Sequence, residues 1–153
     1  MAGRKGQDRA LKLFIVLSRA TNAVAEHARA HAASHGLTLP EFGILEALYH
    51  KGDMLLGELQ RRILVTSGGV TYLVDRLEAK GLVGRKPCAE DRRARYATLT
   101  REGERLVARI FPEHAARLEE AVSGLGPGEQ EEALRLLRKL GLGAAELSPK
   151  SAA

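Results

Sequence analysis

Apolar positions recur at three- and four-residue spacing along most of the chain, and the breaks in that rhythm divide it into segments. From about Gln7 to His35, Leu11, Phe14, Ile15, Ser18, Asn22, Ala25, Ala28 and Ala32 fall on one helical face, and Gly36 closes the segment. Thr38 and Glu41 have the spacing of a capping box, Leu37 and Phe42 that of a hydrophobic staple. Pro40 stands in the first turn, where a missing N–H goes unnoticed. A second helix is therefore predicted to about His50, ended by Gly52.

Beyond it the pattern shortens. Met54-Leu55-Leu56 reads as an edge strand, Gly57 to Ile63 as a short third helix, and Leu64-Val65 as a turn. Thr66 is placed to cap a fourth helix whose buried stripe is Val70, Leu73, Val74 and Leu77, and Gly81 stops it. Leu82–Lys86 and Arg95–Thr100 read as two strands around a polar, charged tip. Thr100 then opens a fifth helix with Leu106, Val107, Ile110, His114, Leu118 and Val122 on one side, and Pro112 is expected to kink or break it. After a glycine-rich turn from Ser123 to Gly128, a sixth helix carries Ala133, Leu134, Leu137 and Leu140. Residues 143–153 read as a flexible tail.

Two short helices joined by a tight turn and followed by a hairpin make a winged helix-turn-helix, whose second helix enters the major groove. The fold class is thus mainly α (α+β). The winged lobe spans residues 37–101, flanked by helical regions over residues 7–36 and 102–142. The first turn of the fourth helix offers Thr66, Ser67, Gly68 and Gly69, then Thr71, Tyr72 and Arg76 on the face opposite the apolar stripe. Hydroxyls reach phosphates or base edges, glycines allow close approach, and the helix N-terminus favours an anion. Thr66 has a second reading as a cap alone. In the wing, Arg92 and Arg93 occupy the tip with Arg95 beside them, suited to the negative potential of a minor groove. Asp91 is expected to pair with a neighbouring arginine and fix its side chain.

Charge supports that placement. Ten basic residues against five acidic lie between Leu55 and Arg101, which accounts for the net charge of +5. With 153 residues, 44% hydrophobic and only 4% aromatic, the chain suits one domain of helices packed through Leu, Val, Ile and Ala. One cysteine, Cys88, allows no internal disulfide, and no signal segment or long apolar run is evident, so a cytoplasmic protein is expected. No metalloprotease motif, nucleophile elbow, phosphate-binding loop or Cys/His cluster is present, so neither an enzyme nor a cofactor is expected. His27, His31 and His35 stand four residues apart, a spacing that suits a metal in principle but an exposed polar stripe more simply.

The run from Gly57 to Leu106 resembles the MarR (multiple antibiotic resistance regulator) family. Asp91-Arg92-Arg93 followed by Leu99-Thr100 and Gly103 is similar to that family's wing signature, and Val74-Asp75-Arg76-Leu77-Glu78 with Gly81-Leu82-Val83 to its recognition-helix end. The resemblance implies a homodimeric transcription factor, often a repressor, released from a pseudo-palindromic double-stranded DNA operator by a small, often aromatic effector. It places the dimer interface on the first, fifth and sixth helices, where Leu11, Phe14, Leu118, Leu134 and Leu137 offer surplus apolar surface. Leu64, Gly68-Gly69 and Tyr72 depart from the family's usual residues, so no base preference carries over.

The effector crevice that the resemblance implies would draw on Ser18, Asn22, His27 and His31 of the first helix and Tyr49 or His50 of the second. Two alternatives stay open. A winged helix also serves protein contacts or non-specific DNA binding, and Cys88, near Arg85, Lys86, Arg92 and Arg93, offers a redox-sensing thiol.

Overall fold

The first helix, α1 (Ala2–Ser34), is continuous over 33 residues, or about 50 Å. It ends as its sequence predicts: Gly36 takes a φ of +71°, and the amides of Gly36 and Leu37 return to the carbonyls of Ala33 and Ala32. Ala28, His31 and Ala32 near that end are buried, whereas Leu11, Leu13, Phe14, Ile15 and Val16 stand exposed. This computed structural model describes residues 2–63 and 69–147. The predicted Leu64-Val65 turn, the residues Thr66, Ser67 and Gly68, and the last six residues of the tail lie outside the described residues.

The capping box forms. The Glu41 amide donates to Thr38 Oγ1 at 3.2 Å and the Thr38 amide donates to Glu41 Oε1 at 3.1 Å, starting α2 (Leu39–Lys51). Leu37 and Phe42 are both buried in the same core. Gly52 ends the helix at a φ of +80°. Only Met54 and Leu55 make the edge strand β1, and Leu56 instead begins α3 (Leu56–Arg62). Helix α4 (Gly69–Ala79) buries Val70, Leu73, Val74 and Leu77, the four residues of its predicted stripe. Strands β2 (Val83–Pro87) and β3 (Arg95–Leu99) pair antiparallel, with Val83 opposite Leu99 and Lys86 opposite Tyr96, and β1 pairs with the other edge of β3.

Helix α5 (Arg101–Ala121) is continuous through Pro112, so the proline does not break it. One lost backbone bond is tolerated because Val107, Ile110 and His114 on the buried face hold the helix on both sides of the proline. At its start, Thr100 Oγ1 accepts from the Gly103 amide at 3.0 Å and donates to the Gly81 carbonyl at 2.6 Å. The Thr100 amide meets the Leu82 carbonyl at 3.1 Å. Thr100 therefore binds the end of α4 to the start of α5. Gly103 lies so close to Leu82 that a Cβ on it would stand 2.1 Å from the Leu82 carbonyl oxygen.

The chain divides into two units, residues 1–118 and 119–153. The first holds the winged lobe, with Phe42, Ile44, Leu45, Leu59, Leu77, Val83, Val107 and Ile110 at the centre of its core. The second holds α6 (Pro127–Glu146), which continues past Gly141, further than its sequence suggests. None of its residues is buried, and Leu134, Leu136, Leu137, Leu140 and Leu142 are exposed. No helix among the described residues is long and apolar enough to cross a membrane.

Candidate nucleic-acid interface

Burying one stripe of α4 leaves the opposite face to solvent. Thr71, Tyr72, Asp75 and Arg76 lie there, and Gly69 opens the helix half-buried. Tyr72 is 60% exposed, unusual for an aromatic ring without a partner surface. Its neighbour one turn on holds it: Arg76 Nη1 donates to the phenol oxygen at 3.3 Å, and the guanidinium carbon lies 5.7 Å from the ring centroid. Arg76 and Tyr72 thus present one polar, cationic surface.

The side of α4 that faces α2 is anchored by a buried charge. Glu41 is fully buried, with Lys80 Nζ donating to Oε2 at 2.7 Å and Arg76 Nε lying 3.9 Å from Oε1. Lys80 also donates to the Gly36 carbonyl at 2.9 Å. Burial by itself pushes the Glu41 carboxyl upward, but the Lys80 ammonium and the Thr38 hydrogen bonds outweigh it and hold the group below the usual carboxylate range. The capping residue of α2 is therefore also the docking point of α4.

Strand β2 is tied to α4 as well. Arg85 Nη2 donates to Asp75 Oδ1 at 2.6 Å, and its Nη1 to Glu78. Lys86 pairs with Asp53 at 3.1 Å. Of the ten basic residues counted in this segment, Lys80, Arg85, Lys86 and, more distantly, Arg76 are engaged by carboxylates, so the count overstates the charge offered to a polyanion. Among those that remain outward, Arg92, Arg93 and Arg95 are exposed together at the wing, and Arg61 and Arg62 are exposed at the end of α3.

Asp91 does not orient an arginine side chain as expected. Its Oδ1 accepts from the Arg93 backbone amide at 2.9 Å, and among the described residues no guanidinium pairs with it. A short carboxylate reaches the amide two residues on more readily than a mobile guanidinium, which makes an Asx-turn. Arg95 finishes that turn by donating to the Arg92 and Ala94 carbonyls, both at 3.1 Å. Arg92 and Arg93 are thus displayed by a shaped turn.

A groove of 350 Å³ at the base of the wing brings Arg93 and Arg95 together with Arg61 and Glu58 of α3. Arg61 was not separable by sequence from the other basic residues, because its approach to the wing depends on β1 pairing with β3. Three arginines from two elements around one groove suit a phosphate.

The residues expected to form an effector crevice are not gathered in one place. Asn22 and His27 are exposed and Ser18 half-buried along α1, while His50 lies against Tyr49 and Phe111, with ring centroids 5.2 and 4.8 Å away. His31 is buried beside His114 of α5, which also removes it from the exposed histidine stripe that its spacing suggests. An apolar cleft instead lies where α1 ends, α2 begins and α3 ends. It measures 700 Å³ and is lined chiefly by Leu37, Leu39, Pro40 and Ile63, with Arg29 and Arg62 at its edge. Cys88 is buried, and it pushes the ionisation of the neighbouring Tyr96 phenol upward.

With this geometry in view, the MarR family profile matches residues 35–94, the heart of the winged lobe. The chain is 44% identical to the HTH-type transcriptional regulator MhqR of Bacillus subtilis, over 94% of its own length and 99% of that protein's. It belongs to the MarR family. Its fold superposes on Sco3205, a MarR family regulator from Streptomyces coelicolor solved in complex with DNA, with a TM-score of 0.80 at 25% identity. That match covers 93% of this chain and 90% of Sco3205. BpsR of Bordetella bronchiseptica, whose DNA binding is regulated by 6-hydroxynicotinic acid, matches with a TM-score of 0.78 at 26% identity, covering 85% and 98% of the two chains. This MarR protein is accordingly a DNA-binding transcriptional regulator with a winged helix, and not an enzyme.

Proposed function

We propose that this MarR protein acts as a homodimer on a specific, pseudo-palindromic operator, represses transcription there, and is released by a small aromatic acid. The observation that carries the reading is the pairing of two outward elements on one lobe. The Tyr72–Arg76 face of α4 is sized for a major groove, and the Arg92–Arg93 tip projects from a hairpin that Arg85 ties to the same helix. Thr66, Ser67, Gly68, Gly69 and Thr71 complete the reading head in this proposal. The exposed apolar residues of α1 and, separately, of α6 are surfaces that a second copy would cover. Such a regulator works in the cytoplasm on nucleoid DNA.

Selection of bound duplexes from a random pool is the direct test. An inverted repeat with half-site centres about ten base pairs or a multiple apart is expected; recovery of no motif sinks the specific regulator. On the selected operator, Arg93→Ala is expected to weaken binding by about 1–3 kcal/mol, roughly five- to 150-fold in Kd. Unchanged affinity removes Arg93 from the interface.

For the effector, the apolar cleft edged by Arg29 and Arg62 suits a flat ring carrying a carboxylate better than the scattered positions on α1. Titration with 6-hydroxynicotinic acid and related ring acids is expected to weaken operator binding, and Arg62→Ala to blunt that response. A series of such acids with no effect on DNA affinity counts against release by this ligand class.

A further inference from the structure

Where the C-terminal end of α1 crosses α5, three metal-ligating side chains converge that the DNA-binding function does not use. His31 Nε2 lies 3.7 Å from Glu113 Oε2, and a ring nitrogen of His35 completes a group whose ligand atoms all lie within 4.8 Å of one another. We propose that His31, His35 and Glu113 bind a divalent transition-metal ion of the zinc type.

The strongest support is the state of His31. Its side chain is wholly buried, yet Nε2 has no hydrogen-bond partner among the described residues. A buried ring nitrogen left without a partner is costly, and a metal at that point would satisfy it. The other nitrogen is already provided for, because His31 Nδ1 faces His114 Nδ1 at 3.3 Å, inside the core. In the proposed site the proton shared by the two rings sits on His31 Nδ1, donated to His114 Nδ1, which leaves His31 Nε2 as the lone-pair donor. This is the arrangement by which a supporting group fixes the tautomer of a ligating histidine. The His114 ring is itself held, 4.4 Å from the Phe42 ring of α2.

The geometry needs little adjustment. Tetrahedral bonds of about 2.0–2.2 Å put ligand atoms about 3.4 Å apart, so the His31–Glu113 pair is within a few tenths of an ångström. The wider gap closes by rotation of His35, which is half-buried, or of Glu113, which is 53% exposed. Those two side chains face solvent and give the ion its way in. Two nitrogens and one oxygen favour zinc over calcium or magnesium and leave a fourth position for water. The partial negative charge at the end of α1 favours a cation there as well. Burial, first of all, and the nearby His35 ring lower the pKa of His31, the direction that ligation favours. The competing cation is Arg117, which takes Glu113 Oε1 at 3.2 Å and leaves Oε2 turned to His31.

The test is a titration of chelator-treated protein with Zn²⁺ against a chromophoric competitor, repeated with Co²⁺ to record the absorption of a tetrahedral site. One ion per chain is expected, with Glu113→Gln and His35→Ala each weakening uptake about tenfold or more and His27→Ala leaving it unchanged. Both diagnostic substitutions fall on side chains open to solvent, so circular dichroism should show an intact fold. No stoichiometric uptake by the unaltered protein, uptake that either variant leaves equally tight, or loss on His27→Ala would overturn the site.

Discussion

Replacing Glu41 with alanine is expected to destabilise the protein by about 3 kcal/mol, the lower end of the range for breaking a buried ion pair. The carboxylate holds the Thr38 amide, the Lys80 ammonium and, more distantly, the Arg76 guanidinium. Truncation removes the side-chain half of the capping box, leaving the bond from the residue-41 amide to Thr38 Oγ1, and leaves Lys80 with the Gly36 carbonyl but no counter-charge. The lower end applies because the Lys80 side chain is 30% exposed and regains some hydration. Denaturant titration of the variant measures the loss, and a change under 1 kcal/mol would show that the network contributes little. Glu41→Gln separates the charge from the cap. Because the folded pKa is held below the unfolded one, the charge stabilises fully above the ordinary carboxylate range and loses its effect as pH falls through the lowered folded value. The stability gap between the native protein and Glu41→Gln should therefore narrow as pH drops below about 4.

Gly103→Ala is expected to destabilise by about 3 kcal/mol, at the top of the overpacking range. The added Cβ would meet the Leu82 carbonyl oxygen at 2.1 Å and the Leu82 carbonyl carbon at 3.0 Å, and backbone at such range cannot swing aside as a side-chain tip can. Relief requires α5 to lift from the turn after α4, which breaks the Thr100 bonds to Gly81 and Leu82. A lowered Tm measures the effect directly, and Gly128→Ala, at a glycine with open space around it, serves as the neutral comparison. Equal Tm values for the two variants would contradict the packing described for α5.

How far the structure could be read in the sequence depended on the span of each interaction. The capping box of Thr38 and Glu41, the apolar stripe of α4 and the hairpin are local, set within a few residues, and each formed where its pattern placed it. The family signature was local in the same sense, because Gly103 and the wing residues lie within a short run. Glu41 looked like a capping residue only, since its partner Lys80 lies 39 positions away. The same holds for His31, which seemed part of an exposed stripe until α5 supplied His114 across 83 positions and Glu113 beside it. Pro112 is a different case: a helix held by tertiary contacts on both sides bears one missing hydrogen bond. Asp91 had two chemically reasonable partners, and only the backbone path of the turn chooses between them.

Arg85 bears on how the lobe can be switched. By holding Asp75 and Glu78 of α4 from the base of the wing, it ties together the two parts proposed to meet the nucleic acid. In the proposed function, the pair would work as a caliper of fixed gape, set to one spacing between a major groove and the minor groove beside it. A signal that left the caliper closed on its setting could still turn it away from the duplex by moving the helices that carry it. Control in this protein would then lie in the hinge of the instrument and not in its jaws.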